Sequence, residues 1–179
     1  MMERIRIVEG DITREQVDAV VNAANSALAG GGGVDGAIHA AAGPELLEAG
    51  LALGGCPTGQ ARSTPGFRLP ARWVIHAVGP VWSGGGNGEA ALLAGAYRAS
   101  LEEAVKLGAK TVAFPAISTG VYGYPKDKAA HIALRTVRDF LAECPQLREV
   151  RLVCFSKESA EAHREALREL HGMQSDKDR

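Results

Sequence analysis

Apolar and charged positions alternate along Arg4-Ile-Arg-Ile-Val8, the pattern of a strand with one exposed face. Gly10-Asp-Ile-Thr13 closes it, and Thr13 with Gln16 predicts a capping box opening a short helix. Ala19-Val-Val21 is a brief apolar run, predicted as a buried strand. Beyond a stretch of glycines the period becomes helical, with Val34, Ile38 and Ala42 at i, i+4 and i+8. Helix continues over 44–53 until Gly54-Gly55 stops it. A strand at 60–64 is predicted beside the stronger strand Trp73-Val-Ile-His-Ala-Val78, which Gly79-Pro80 bounds. Leu93, Tyr97, Leu101 and Ala104/Val105 place a long helix over 89–107. Thr111-Val-Ala-Phe114 reads as another buried strand, and Pro125 suits the first position of a helix carrying Ala130, Leu134, Val137 and Leu141. A last strand is predicted at 149–155, then a helix showing Ala160, His163, Leu167 and Leu170.

Strands alternating with helices predict an α/β domain with helices on both faces of a central sheet. The short connections of the N-terminal strand and of the 60–78 pair predict a mixed sheet. No repeat or linker divides the chain. One domain is expected over 1–171, with the polar stretch 172–179 as a flexible tail.

Composition narrows the function classes. The 179 residues carry 20 basic and 21 acidic side chains, a net charge of −1, which predicts no broad grip on nucleic acid. Three cysteines, Cys56, Cys144 and Cys154, are widely spaced without C-x-x-C, so neither a disulfide framework nor a zinc knuckle is expected. The start lacks a signal-like segment and no apolar run is long enough to span a membrane; a cytoplasmic protein is the expectation. The five histidines show no H-E-x-x-H spacing, so no metal and no cofactor is predicted.

Candidate chemistry concentrates around the glycine run at 30–33. Glycines without side chains can approach a ligand closely, and here they feed a helix N-terminus, whose unpaired N–H groups suit an anion. Asn22 and Asn25 precede the run; Asp35 and His39 follow it. A second long loop, 115–124, follows the 111–114 strand, and neither 22–39 nor 115–124 contains Lys or Arg. If this is a phosphate site, backbone amides and helix dipoles hold the charge; the plainer alternative is two loose surface loops. Both loops, with Asp11 and Phe155, fall at carboxyl ends of strands, where ligands collect in α/β sheets.

Each residue also has a plainer reading. Asp35 is either a helix-start acid or a carboxylate placed to orient or activate water. Asn25 is either a turn residue or a holder of a sugar hydroxyl. Asp11 either satisfies local donors or accepts from an adenine amine, and Phe155 is either core or a stacking platform. His39 lies one turn from Asp35, so a structural contact and a catalytic one are equally open; His76 reads as a satisfied core residue. Ser118 lacks a G-x-S-x-G setting and is read as a ligand contact. Gly31-Gly-Gly33-Val-Asp-Gly36 matches the dinucleotide fingerprint G-x-G-x-x-G literally. It stands too far from the preceding strand, and no acidic residue follows at about 20 positions. An NAD-dependent dehydrogenase therefore lacks its defining turn.

Gly10-Asp-Ile-Thr13, Asn22-Ala-Ala-Asn25, Gly31-Gly-Gly-Val-Asp-Gly-Ala-Ile-His39, Cys56-Pro-Thr-Gly59, Ile75-His-Ala-Val-Gly-Pro80 and Ile117-Ser-Thr-Gly-Val-Tyr-Gly-Tyr-Pro125 together resemble a macrodomain of the MacroD type. The resemblance runs from about residue 3 to 170. It implies a three-layer α/β/α fold around a six-stranded mixed sheet, with ADP-ribose across its rim. It implies that Asp11 and Ile12 hold the adenine, that Phe155 stacks on it, and that Asn22 belongs to the ligand-binding set. Gly32, Gly33 and Val34, with Ser118, Thr119, Gly120, Val121 and Tyr122, are implied to wrap the diphosphate and distal ribose. Asn25 and Asp35 match the pair assigned to deacylation; His39, one turn from Asp35, is a further candidate as an auxiliary. The implied partners are ADP-ribose, its O-acyl esters and mono-ADP-ribosylated proteins, met by a monomer. The implied activity is metal-independent hydrolysis of ADP-ribosyl esters; the alternative is a non-catalytic ADP-ribose reader, which needs the cradle but not the Asn25/Asp35 pair.

Overall fold

Strand side chains alternate between two apolar clusters, and that alternation builds three layers. In the computed structural model, which describes residues 2–177, the strands are β1 (Ile5–Glu9), β2 (Ala19–Ala23), β3 (Ala61–Pro65), β4 (Trp73–Ala77), β5 (Thr111–Phe114) and β6 (Glu149–Cys154). The helices are α1 (Gly33–Ala42), α2 (Glu45–Ala52), α3 (Glu89–Lys106), α4 (Lys126–Ala142) and α5 (Lys157–Lys177). Ala19, Val21, Ile75, Val112, Phe114, Val150 and Leu152 face one way, against Leu93, Tyr97, Leu134 and Ala166 of α3, α4 and α5. Val20, Val74, Ala113 and Val153 face the other way, against Ile38 and Ala42 of α1 and Leu46 of α2. Each fully buried Leu, Ile or Phe contributes about 1.5–3 kcal/mol, so a strand slipped by one residue would forfeit both clusters.

The strand order is β1-β6-β5-β2-β4-β3. All pairings are parallel except β3 with β4. The sheet is therefore mixed, but only through β3. The N-terminal strand, whose short connection also suggested reversal, instead crosses to the far edge and runs parallel to β6. One consequence places the site: β1, β2, β4, β5 and β6 all end on the same rim.

Local boundaries shift for identifiable reasons. Arg4 leaves the strand pattern because its guanidinium donates to the carbonyls of Leu141, Cys144 and Leu147, closing the end of α4. The helical turn after β1 is a 3-10 turn, Ile12–Arg14, capped by Asp11 and not by Thr13. Glu15 already has extended backbone there, so Gln16 cannot complete the capping box. Pro125 is the N-cap of α4, one position before the expected one. Helical backbone in α5 continues to Lys177, so the boundary expected at 171 falls inside this helix, and residues 178 and 179 lie outside the described residues. Among the described residues no helix is long and apolar enough to cross a membrane.

Candidate functional site

A cavity of about 280 Å³ opens over the ends of β2 and β5. Its walls are the segments 23–25 and 31–35 on one side and 116–118 with 120–122 on the other, with Gly79 between them. The walls thus come largely from the two cation-free loops. Gly32, Gly33, Val34, Asn25, Asp35, Ser118, Gly120, Val121 and Tyr122 meet there. Gly31, from the glycine run, is there as expected; Ala23, Ala24, Gly79, Ala116 and Ile117, to which no separate role was given, have small or apolar side chains and contribute mainly shape.

The first loop is held in place by Asn25. Its Nδ2 donates to the Gly30 carbonyl at 2.8 Å, and its Oδ1 accepts from the Ala29 amide at 3.1 Å. Asn25 therefore shapes the loop, and the second hydrogen of its amide remains for a ligand. Gly33 has φ +58° and opens α1, while Gly32 caps the helix without a side-chain bond. A Cβ on Gly36 would come within 2.7 Å of the Gly31 carbonyl oxygen, so only glycine lets α1 pack this closely under the loop.

Asp35 lies in the first turn of α1 and is 6% exposed. Its Oδ1 accepts from Asn22 Nδ2 at 2.9 Å, and His39 Nε2 stands 3.2 Å away. Its Oδ2 turns toward Gly31, 3.3 Å from where a Cβ would stand. One carboxylate oxygen is fixed from behind and the other is presented at the cavity wall.

Behind Asp35 the polar contacts continue through the sheet. Asn22 Nδ2 also donates to His76 Nδ1 at 3.2 Å, and His76 Nε2 is 3.0 Å from Thr64 Oγ1. Asn22 and His76 are register partners on β2 and β4. An amide NH2 only donates, so Nδ1 must accept and the ring proton sits on Nε2, donating to Thr64. Flipping the Asn22 amide would set its oxygen against a carboxylate. The orientation is thus fixed, and it leaves Asn22 Oδ1 buried with no hydrogen-bond partner among the described residues. Burial, helped by the nearby His39, pushes the His76 pKa down to about 4 and keeps the ring neutral. His76 is a satisfied core residue, as its place mid-strand suggested, and it also buttresses Asp35 through Asn22.

The second loop turns at Ser118, which has φ +68° and a buried hydroxyl with no partner among the described residues. A Cβ on Gly79 would collide with that hydroxyl and stand 2.5 Å from Ile117 Cγ2. Thr119 faces elsewhere: its hydroxyl donates to the Ala116 carbonyl at 2.9 Å, and it lines a neighbouring hollow of about 460 Å³ with Lys126 and Glu158.

Asp11, Ile12 and Phe155 stand outside the cavity, along the same rim at the ends of β1 and β6. Phe155 is 88% exposed. Asp11 Oδ1 accepts from the Thr13 hydroxyl at 2.6 Å and the Thr13 amide at 2.9 Å, which lowers its pKa below the usual carboxylate value. The Ile12 side chain is buried in the core, so only its backbone is available at the rim. Asn22 is fully buried and reaches the cavity only through Asp35. Among the described residues no group of three or more His, Cys, Asp or Glu gathers as a metal site would.

Comparison with known proteins gives a consistent result. The Macro domain family model matches residues 21–133. A macro domain-containing protein of Methanosarcina mazei is 57% identical over 166 residues, covering 93% of this chain and 89% of its own length. A Citrobacter rodentium protein named O-acetyl-ADP-ribose deacetylase is 51% identical over 171 residues, covering 93% and 97%. Among solved structures, a variant of the Oceanobacillus iheyensis macrodomain with ADP-ribose superposes with a TM-score of 0.89 at 46% identity, covering 93% of this chain and 92% of that one.

Proposed function

This chain belongs to the macro domain family, and we propose that it binds ADP-ribose and hydrolyses ester-linked ADP-ribose derivatives by metal-independent attack of water. The observation that carries the reading is Asp35: a carboxylate tied at Oδ1 and turned at Oδ2 toward Gly31, on the wall of a cavity whose other lining residues are all uncharged. A reader needs the cradle; it does not need an oriented carboxylate inside it. The Citrobacter rodentium relative named for deacetylation supports the same activity.

The rim has the span for such a ligand. From β2 across β5 and β6 to β1 are three strand intervals, about 14 Å. The adenine lies at the Asp11/Phe155 end, where Phe155 offers an open ring and Asp11 Oδ2, 3.8 Å from the exposed Arg14 Nε, has lone pairs left to accept from the exocyclic amine. The diphosphate lies over Gly32, Gly33 and the Ser118–Val121 turn, held by amides and by the buried Ser118 hydroxyl. The distal ribose then reaches Asn25 and Asp35. Substrates are O-acetyl-ADP-ribose and proteins carrying mono-ADP-ribose on Asp or Glu side chains.

In the reaction, water adds across the ester: its oxygen bonds to the reacting carbon, the C–O bond breaks, and acid and alcohol separate. Asp35 Oδ2 orients this water, accepts its proton and passes it on to the departing oxygen or to solvent, while Asn25 fixes the ribose; both effects lower the barrier by positioning and by general base action. His39, beside Oδ1, holds the carboxylate's orientation. Incubation of purified protein with O-acetyl-ADP-ribose is the test: release of acetate with ADP-ribose supports hydrolysis, and tight ADP-ribose binding without release leaves a reader.

A further inference from the structure

The loop Ser83-Gly-Gly-Gly-Asn-Gly88 has no chemistry of its own, and it lies between β4 and α3 on the same rim as the cavity. Gly84, Gly85 and Gly88 hold φ of +91°, +88° and +73°. Those turns aim three amides inward at one side chain. Glu89 Oε2 accepts from Ser83 N at 3.0 Å and Gly85 N at 2.8 Å, and Oε1 accepts from Asn87 N at 2.6 Å. Asn87 Nδ2 closes the ring by donating to Ser83 Oγ at 2.7 Å. This is an anion nest filled by the chain's own carboxylate. Glu89 is 1% exposed, and the Ser83 amide, followed by those of Gly85 and Asn87, holds its pKa down to about 2.

The nest is tied to the cavity through Trp82. A Cβ on Gly85 would stand 2.9 Å from Trp82 Cη2, so the loop seats directly on the indole. The Trp82 amide donates to the Tyr122 carbonyl at 2.8 Å, and the indole packs 4.6 Å from the Tyr124 ring, between centroids. Lys128 Nζ lies 5.5 Å from the indole centroid. Tyr122 is part of the cavity wall that also contains Asp35. A continuous set of contacts therefore runs from Glu89 through three amides to Trp82, and from Trp82 to Tyr122.

We propose that Glu89 is a positioning residue for substrate: by clamping the 83–88 loop onto Trp82 it fixes Tyr122, and so the wall against which the distal ribose rests. This rests on the functional reading given above. Glu89 touches no ligand itself. Because Tyr122 shares its cavity with Asp35, the part of the ligand it supports is the part carrying the ester, not the adenine. The clamp also needs a carboxylate. Gln at 89 would offer one acceptor oxygen for amides now shared between two, and its NH2 would face an amide donor.

Calorimetry with ADP-ribose and with ADP, which lacks the distal ribose, separates this role from a merely structural one. Glu89→Gln is expected to weaken ADP-ribose binding about tenfold, a coupling of ordinary size for a residue outside the site. ADP should weaken less than about threefold. Gly85→Ala is the second variant: it keeps the carboxylate but strains the loop at φ +88° and pushes on the indole, and it should show the same selective loss. Equal weakening of both nucleotides, or of neither, overturns the positioning role while the functional reading stands on wild-type binding. Wild-type protein that binds no ADP-ribose overturns both.

Discussion

His76→Gln should remove much of this protein's loss of stability in acid. The wild-type ring is buried and neutral, with its pKa lowered from 6.5 to about 4. Between those values the unfolded chain binds a proton that the folded chain refuses, so stability falls as pH drops from about 6.5 to 4 and is level on either side. At pH about 4.5 the loss from this one group is about 2.5 kcal/mol, taking about 1.4 kcal/mol per unit. Gln keeps an uncharged donor and acceptor between Asn22 and Thr64 and cannot titrate. The measurement is urea unfolding of both proteins at pH about 8 and about 4.5, followed by circular dichroism. Wild type should lose about 2.5 kcal/mol more than the variant over that interval. His163, its pKa also lowered by burial, leaves a residual acid loss in both proteins. His131 works in the other direction: hydrogen bonds from its ring to the Asp127 carbonyl and to Glu169 raise its pKa, so its contribution is present in acid and lost as pH rises through the folded value. If His76→Gln loses as much stability as wild type, the ring is not held neutral and the tautomer derived for it is wrong.

Asp35→Ala should lower kcat for O-acetyl-ADP-ribose by about 10²–10⁴-fold while ADP-ribose affinity changes only a few-fold, as single-turnover rates beside calorimetry would show. A wild-type rate in that variant would move the water elsewhere. Gly32→Glu should fold normally, since nothing beyond its chain neighbours lies within 4 Å of the added Cβ, yet lose ADP-ribose binding because a carboxylate enters the proposed diphosphate cradle; calorimetry with retained thermal stability checks both halves. Hydrolysis should persist in excess chelator, and activity that disappears there and returns with a divalent ion would require a metal.

The fold was legible because apolar periodicity and glycine punctuation agreed at nearly every element. Ala19-Val-Val21 and Val112-Ala-Phe114 are short and wholly apolar because β2 and β5 are central strands with helices on both faces. The meeting of the 22–33 and 115–124 loops was legible too, since both follow strands whose ends share a rim. What the chain conceals is register and side-chain direction. Nothing local to Asn22, Thr64 or His76 shows that they join behind Asp35; that depends on Asn22 standing opposite His76 across β2 and β4. Thr119 sits in the same motif as Ser118 yet turns back to the Ala116 carbonyl, because the chain reverses at a residue of positive φ. Glu89 stands where any first-turn acid stands, and only the fold of the preceding loop gives it three amide partners.

The two acids at helix starts, Asp35 and Glu89, show how similar sequence settings diverge. Both follow glycine runs, and both benefit from the positive end of a helix dipole. Around Glu89 the glycines turn inward, and both carboxylate oxygens are consumed by the loop that precedes it. Around Asp35 the first loop is held open by Asn25 bonding Gly30 and Ala29, so the loop does not collapse onto the acid. Asp35 is instead restrained from below, by Asn22, on one oxygen only. A glycine loop closed by its own carboxylate has no room for an external anion. One propped open above a half-satisfied carboxylate leaves room for an external ligand beside that carboxylate, and this difference is why the candidate site takes in residues 22–39 and not 83–89.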